Sequence, residues 1–270
     1  MPCLPRLRLV LFLAVAPGWT MVAGGTGAAD IEGRLEAGGS AAVIEVIDGD
    51  TLRLGDGRQV RLVGLQAPKL PLGRPGFVEW PLAETARQAL AELTRGRTVR
   101  LAYGGARMDR YRRALAHLFV GADTWVQGEM LSRGLARVYT FPDNRALAAE
   151  MYAREEVARR QGRGIWGHPF YRLRTAETVK RDEGTFQIVE AGVLRAARVR
   201  DRVFLNFAQD WRDDFTVTID ADILASFVAA GLDPLALEGT QIRVRGWIKT
   251  WNGPLIEATH PEQIEVLSGR

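Results

Sequence analysis

The chain has 270 residues, 47% hydrophobic and 25% charged, with 29 glycines and one cysteine. That composition excludes an intrinsically disordered or collagen-like chain, and a single cysteine excludes a disulfide framework or a Cys-rich metal module. The net charge of +4 hides an asymmetry: residues 31–174 carry 23 Lys+Arg against 16 Asp+Glu (+7), whereas residues 175–270 carry 11 against 15 (−4).

The length suits two modest domains. A basic first half is the footprint expected of a polyanion-binding surface, and equally of a solvated basic face with no ligand. Arg6 and Arg8 precede an apolar run at 9–16, then Pro17 and a small-residue tail ending Gly27-Ala28-Ala29. This layout predicts a signal peptide over 1–29 and an exported protein, periplasmic or secreted. The apolar run is short for a membrane span, so no stable span is expected in the mature form. The sole cysteine, Cys3, lies before the run, so the mature chain is expected to lack thiol chemistry. Residues 30–42 are rich in Gly and Ala and read as a linker.

Residues 43–69 alternate apolar and polar positions around two Asp-Gly pairs, Asp48-Gly49 and Asp56-Gly57. The pattern predicts short strands joined by tight turns. Asp48, Asp50 and Thr51 put oxygen ligands at the first turn. Arg61 sits among Val60, Leu62, Val63 and Leu65, where a guanidinium needs an anionic partner. Acidic oxygens beside a strand arginine suit a metal-assisted phosphate site. The plainer reading is a simple turn and an arginine that reaches back to water.

A helical period follows over 80–93, strands over 98–103 and 114–120, helices over 126–134 and 144–161, and a short β-like stretch at 135–141. Residues 172–185 are polar and read as a second linker. From 186 to 270 the pattern predicts strands near 192–199, 203–208 and 215–219, a helix at 221–230, and strands near 241–249 and 255–257. Three strands, a helix and two strands describe a five-stranded barrel of the OB type. Trp211, Trp247 and Trp251 fit a barrel interior better than a stacking surface, and Trp166 in Gly-Ile-Trp-Gly fits a core anchor. His117, His168 and His260 show no metal-ligand spacing. There is no Ser-His-Asp set and no nucleotide-binding glycine loop.

Five pieces in order, IDGDT at 47–51, VRLVGLQAP at 60–68, DRYRRALA at 109–116, GLARVY at 134–139 and GIW at 164–166, resemble the staphylococcal nuclease (thermonuclease) family. The resemblance implies a mainly β fold with helices (α+β): an OB-fold barrel with three helices over 43–171. The OB-like β domain over 186–270 would follow it. It further implies calcium-assisted hydrolysis of DNA and RNA. By the same resemblance Asp50 is the metal ligand, Arg61 and Arg113 clamp the phosphate, and Arg110 and Tyr111 contact the terminal phosphate. Tyr139, with Phe141, would line the nucleotide pocket.

The departures fall at the chemistry. Where the family has Asp-Thr-Pro-Glu, supplying a metal ligand and the presumed general base, this chain has Gln66-Ala67-Pro68-Lys69. Gln66 offers only a neutral oxygen, and protonated Lys69 is no base, so calcium affinity should be weakened. Lys69 would instead join Arg61, Arg110 and Arg113 in holding phosphate. Glu79 and Glu84 are the nearby carboxylates that could substitute as base. Two main readings stay open: a binder of nucleic acid or phosphate polyanions with impaired phosphodiesterase chemistry, and an active endonuclease with a rearranged metal site. A pure protein-interaction module is the third.

Overall fold

The computed structural model describes residues 27–210 and 214–267. Cys3, Arg6, Arg8, the apolar run at 9–16 and Trp211 lie outside the described residues. Among the described residues no helix is long and apolar enough to cross a membrane.

A short helix, α1 (Ala28–Glu32), contains Ala29 and buries Ile31 in the first core. Strands β1 (Glu36–Asp48), β2 (Thr51–Leu54) and β3 (Gln59–Leu62) then run antiparallel through the two Asp-Gly turns. Residues 30–42 are therefore no linker, for they form α1 and the first half of β1. The small residues answer a packing demand there: a Cβ at Gly38 would come within 2.4 Å of the Tyr103 ring. Gly49 answers another, since a Cβ there would lie 2.7 Å from the Cβ atoms of both Ala67 and Ala86.

Next come β4 (Leu65–Gln66), α2 (Ala83–Thr94), β5 (Thr98–Tyr103), β6 (Ala114–Val120), β7 (Thr124–Trp125), α3 (Val126–Ser132), β8 (Arg137–Val138) and α4 (Ala148–Arg160). β1 pairs with β5, β5 with β6, and β6 runs parallel to β3, which closes β1-β2-β3-β6-β5 into a five-stranded barrel. Closure leaves none of these strands as a free edge and fills the interior with alternate residues such as Leu52, Leu54, Val60, Leu62, Val99 and Leu101. Helices α2, α3 and α4 cover the barrel.

The second part comprises β9 (Phe186–Gly192), β10 (Arg195–Val199), β11 (Arg202–Asn206), β12 (Thr216–Asp220), α5 (Leu224–Ala229), β13 (Gln241–Trp247), β14 (Lys249–Thr250), β15 (Pro254–Glu257) and β16 (Ile264–Leu267). A five-stranded sheet, β10-β11-β12-β15-β14, faces a three-stranded one, β16-β13-β9, around a second apolar core. This barrel-like β unit has more strands than its sequence pattern predicts. β9 escapes the period-two pattern because Phe186, Gln187, Ile188 and Val189 are all buried, lying between the second core and the first unit.

Residues 172–185 are not a free linker either. Ala176 and Val179 are buried in the second core, and Arg174 pairs with Asp182 at 2.7 Å while its backbone bonds to Ile188 and Glu190. The stretch reads as solvated in sequence because Arg172, Glu177, Lys180, Arg181 and Glu183 are exposed, while Ala176 and Val179 reach the core.

A buried cation ties the two units. Arg245 on β13 is 1% exposed; it meets the Glu155 carboxylate of α4 at 3.0 and 3.2 Å, donates to the Val138 carbonyl at 3.1 Å, and meets Glu265 at 2.6 Å. Arg145 pairs with Glu262 at 2.7 Å across the same boundary.

Candidate functional site

The β1–β2 turn is built by its own acids. Asp48 accepts from the backbone N–H of Asp50 at 3.0 Å, which points the fully buried Asp50 side chain inward. Four donors converge on it, the Thr51 hydroxyl reaching Oδ1 at 3.2 Å among them. Lys69 Nζ lies 2.7 and 2.6 Å from its two oxygens, Arg61 Nη1 lies 2.9 Å from Oδ2, and the backbone N–H of Ala67 donates to Oδ2 at 2.8 Å. Burial alone would raise the Asp50 carboxyl, yet the charges of Arg61 and Lys69 outweigh it and hold the group well below the usual range. Asp48 goes the other way: burial, then the neighbouring Asp50 charge, pushes it up. Lys69 reaches Asp48 only at 3.4 Å.

Arg61 is the link outward. Besides Asp50, it donates to the carbonyls of Leu62 at 3.1 Å and Leu65 at 2.9 Å. It also lines a cavity of about 620 Å³ shared with Arg110, Tyr111, Arg113, Tyr139 and Phe141. Arg113 is held by Asp109 at 2.7 Å, and Asp109 also accepts the backbone N–H groups of Tyr111 and Arg113 at 2.9 Å. Those bonds hold the DRYRR loop where Arg110 and Arg113 both line the cavity. Arg110 lies over the Tyr111 ring at 4.8 Å, and Tyr139 meets Phe141 edge-on at 4.7 Å.

Arg61, Arg110, Tyr111, Arg113 and Tyr139 thus share one cavity, while Asp50 and Lys69 lie behind its wall. Expecting Lys69 to hold phosphate directly misses a nearer claim on its ammonium, the buried Asp50 carboxylate. Glu84 sits in the first turn of α2, bonded to Arg87 and Gln88, and Glu79 is exposed.

One important residue is not singled out by the sequence, and a second is expected there in a barrel interior. Arg137 on β8 is buried, and burial pushes its guanidinium down to about 10. It donates to Gln66 Oε1 at 3.0 and 2.7 Å, and to the Phe186 carbonyl of the second unit at 2.9 Å. An arginine between Ala136 and Val138 carries the same signal as Arg61, a cation in an apolar strand. The other is Trp247, 47% exposed, which lines the cavity from β13 and donates to the Tyr139 hydroxyl at 2.9 Å. Trp251 is 55% exposed, so neither tryptophan belongs to a barrel interior. In Gly-Ile-Trp-Gly the buried anchor is Ile165.

The model of the family described as "Staphylococcal nuclease homologue" matches residues 59–168. The micrococcal nuclease of Shigella flexneri is 30% identical over 138 residues, covering 47% of this chain and 73% of its own. The chain belongs to the staphylococcal nuclease homologue family. The thermonuclease of Staphylococcus intermedius is 29% identical over 132 residues, 48% of this chain and 77% of its own. That of Staphylococcus hyicus is 28% identical over 129 residues, 47% and 75%.

The staphylococcal nuclease homologue family brings with it the expectation of calcium, and this donor set does not fit one. Hard cations take six to eight oxygens, usually including several carboxylates. Both Asp50 oxygens already face an ammonium, and the Gln66 oxygen is claimed by Arg137. Among the described residues no three His, Cys, Asp or Glu side chains come together as a metal set. His117 accepts from Trp125 Nε1, His168 from the Phe170 N–H, and His260 bonds Thr140 and Thr259.

Proposed function

We propose that the chain binds nucleic acid or another phosphate polyanion through the cavity of Arg61, Arg110 and Arg113, with impaired phosphodiesterase chemistry. The observation that carries this reading is Lys69 Nζ at 2.6–2.7 Å from both oxygens of Asp50. A tethered cation there neutralises Asp50, the acid of the turn that the family uses for metal. It also replaces the carboxylate that would activate water. Three arginines and an aromatic edge support binding, since cations grip the phosphate and rings stack bases without reading their identity. An active endonuclease with a rearranged metal site is less favoured, because neither Glu79 nor Glu84 lines the cavity and its Asp109 is held by Arg113. Export to the periplasm or medium stays part of the proposal on the N-terminal pattern alone.

The test is titration of a labelled single strand in calcium and in EDTA, across a salt series. Affinity should be the same in both and fall steeply with salt. The double substitution Gln66→Asp with Lys69→Glu should make binding and cleavage calcium-dependent together. Strict calcium dependence of the unmodified protein, or efficient cleavage by it, would overturn the impaired-enzyme reading.

A further inference from the structure

The cavity just described does not end at the first unit. Trp247 forms part of its wall, and the same three rings, Tyr139, Phe141 and Trp247, also wall a second cleft of about 290 Å³ at the junction. The far side of that cleft comes from the second unit, including Phe186, Lys249 and His260. A family barrel without this partner would have no such cleft.

The geometry points to a second base subsite in the junction cleft, so that the protein grips two successive nucleotides of a single strand, with Trp247 as the shared ring. This inference rests on the nucleic-acid reading above. Strand alternation puts Arg245 and Trp247 on the same face of β13. Arg245 is locked into the first unit by Glu155 and the Val138 carbonyl. Two residues on, Trp247 is therefore delivered to a fixed place at the cavity mouth, where its indole N–H is held by Tyr139. The ring is pinned at one end and nearly half exposed, as a stacking platform requires.

The cleft is suited to a base. Tyr139 meets Phe186 edge-on at 4.6 Å, and Phe186 meets Trp247 edge-on at 6.4 Å, so the three rings pack as one aromatic wall of the cleft. Thr140, Thr259 and His260 form a connected hydroxyl–imidazole chain with bonds of 2.8 and 3.0 Å in the cleft wall. Both ring nitrogens of His260 are taken by these hydroxyls, so the chain fixes the cleft wall and leaves base identity unread. The phosphate joining the two nucleotides would remain on the arginine side.

Calorimetric titration in EDTA with oligothymidylates of one, two and four nucleotides tests this. Affinity of the unmodified protein should rise by roughly tenfold or more from one nucleotide to two, the lower range of one stacked base. Trp247→Ala should remove that rise. Trp247→Leu, which keeps apolar bulk without the π face, should remove it as well, and Trp247→Phe should restore part of it. Thermal unfolding of each variant checks that the fold survives. A rise that persists in both the Ala and Leu variants, or no rise in the unmodified protein, overturns the second subsite and leaves the proposed function standing. No binding of any strand overturns both.

Discussion

Asp50 shows how a residue can be buried and charged at once. Its depressed carboxyl contributes stability that is present above the unfolded value and is lost as pH falls through the lower folded one, while the raised Asp48 opposes it. His117 adds a separate acid sensitivity. It is buried, accepts from Trp125 Nε1 at 3.3 Å, and is pushed by burial from 6.5 down to about 3. Between those values the unfolded chain binds a proton that the folded one refuses, so stability rises with pH across the window. His117→Gln keeps the acceptor and removes the titration. Denaturant unfolding between pH 6.5 and 4 should then show a slope shallower by up to about 1.4 kcal/mol per pH unit. An unchanged slope would mean that His117 is protonated in the fold.

At the scale of elements, β13 and α4 are held by one ion pair with almost no water around it. Arg245 must overcome burial, and the Glu155 charge does so, holding the guanidinium protonated. Breaking such a pair by removing one partner costs about 3–5 kcal/mol, because the other charge is left buried. Arg245→Ala and Glu155→Ala should each destabilise by that order, and the double variant by clearly less than their sum. Additive losses in a double-mutant cycle would show that the two side chains do not meet. Strands β2 and β3 were legible in sequence because each has one face in the core, whereas the Gly- and Ala-rich first half of β1 carries no such alternation. β9 was not legible either, since both its faces are covered. Arg61 was legible as a strand cation in need of a partner, whereas the Lys69–Asp50 contact was not: nineteen positions separate them, and only the closed barrel brings them together.

For the whole molecule, the charge reversal between the halves suggests two independent bodies, and the contacts argue for one assembly. Ion pairs at Arg245 and Arg145, the Arg137 bond to Phe186 and the Tyr139–Trp247 bond all cross the boundary. We expect limited trypsin digestion to nick the exposed positions within 172–185 first, and the two fragments to co-elute on size exclusion without denaturant. Fragments that separate at once, or first cuts inside 43–171, would show that the junction is weak. The junction also bears on the site, for Gln66 stands where the family has an acid and its oxygen serves Arg137, which in turn holds Phe186. Motif comparison exposes that exchange as a loss, while the fold shows what the amide is used for.

Lys69 carries one more consequence. A dissolved ion acts in proportion to its concentration, so a site that waits for it is empty or filled according to the medium. An ammonium on the same chain has an effective concentration set by the backbone, which neither dilution nor a chelator can change. On the proposed function, Lys69 neutralises the turn at Asp50 in place of a dissolved cation. On that same reading, the grip on phosphate becomes independent of a small ion through one tethered charge.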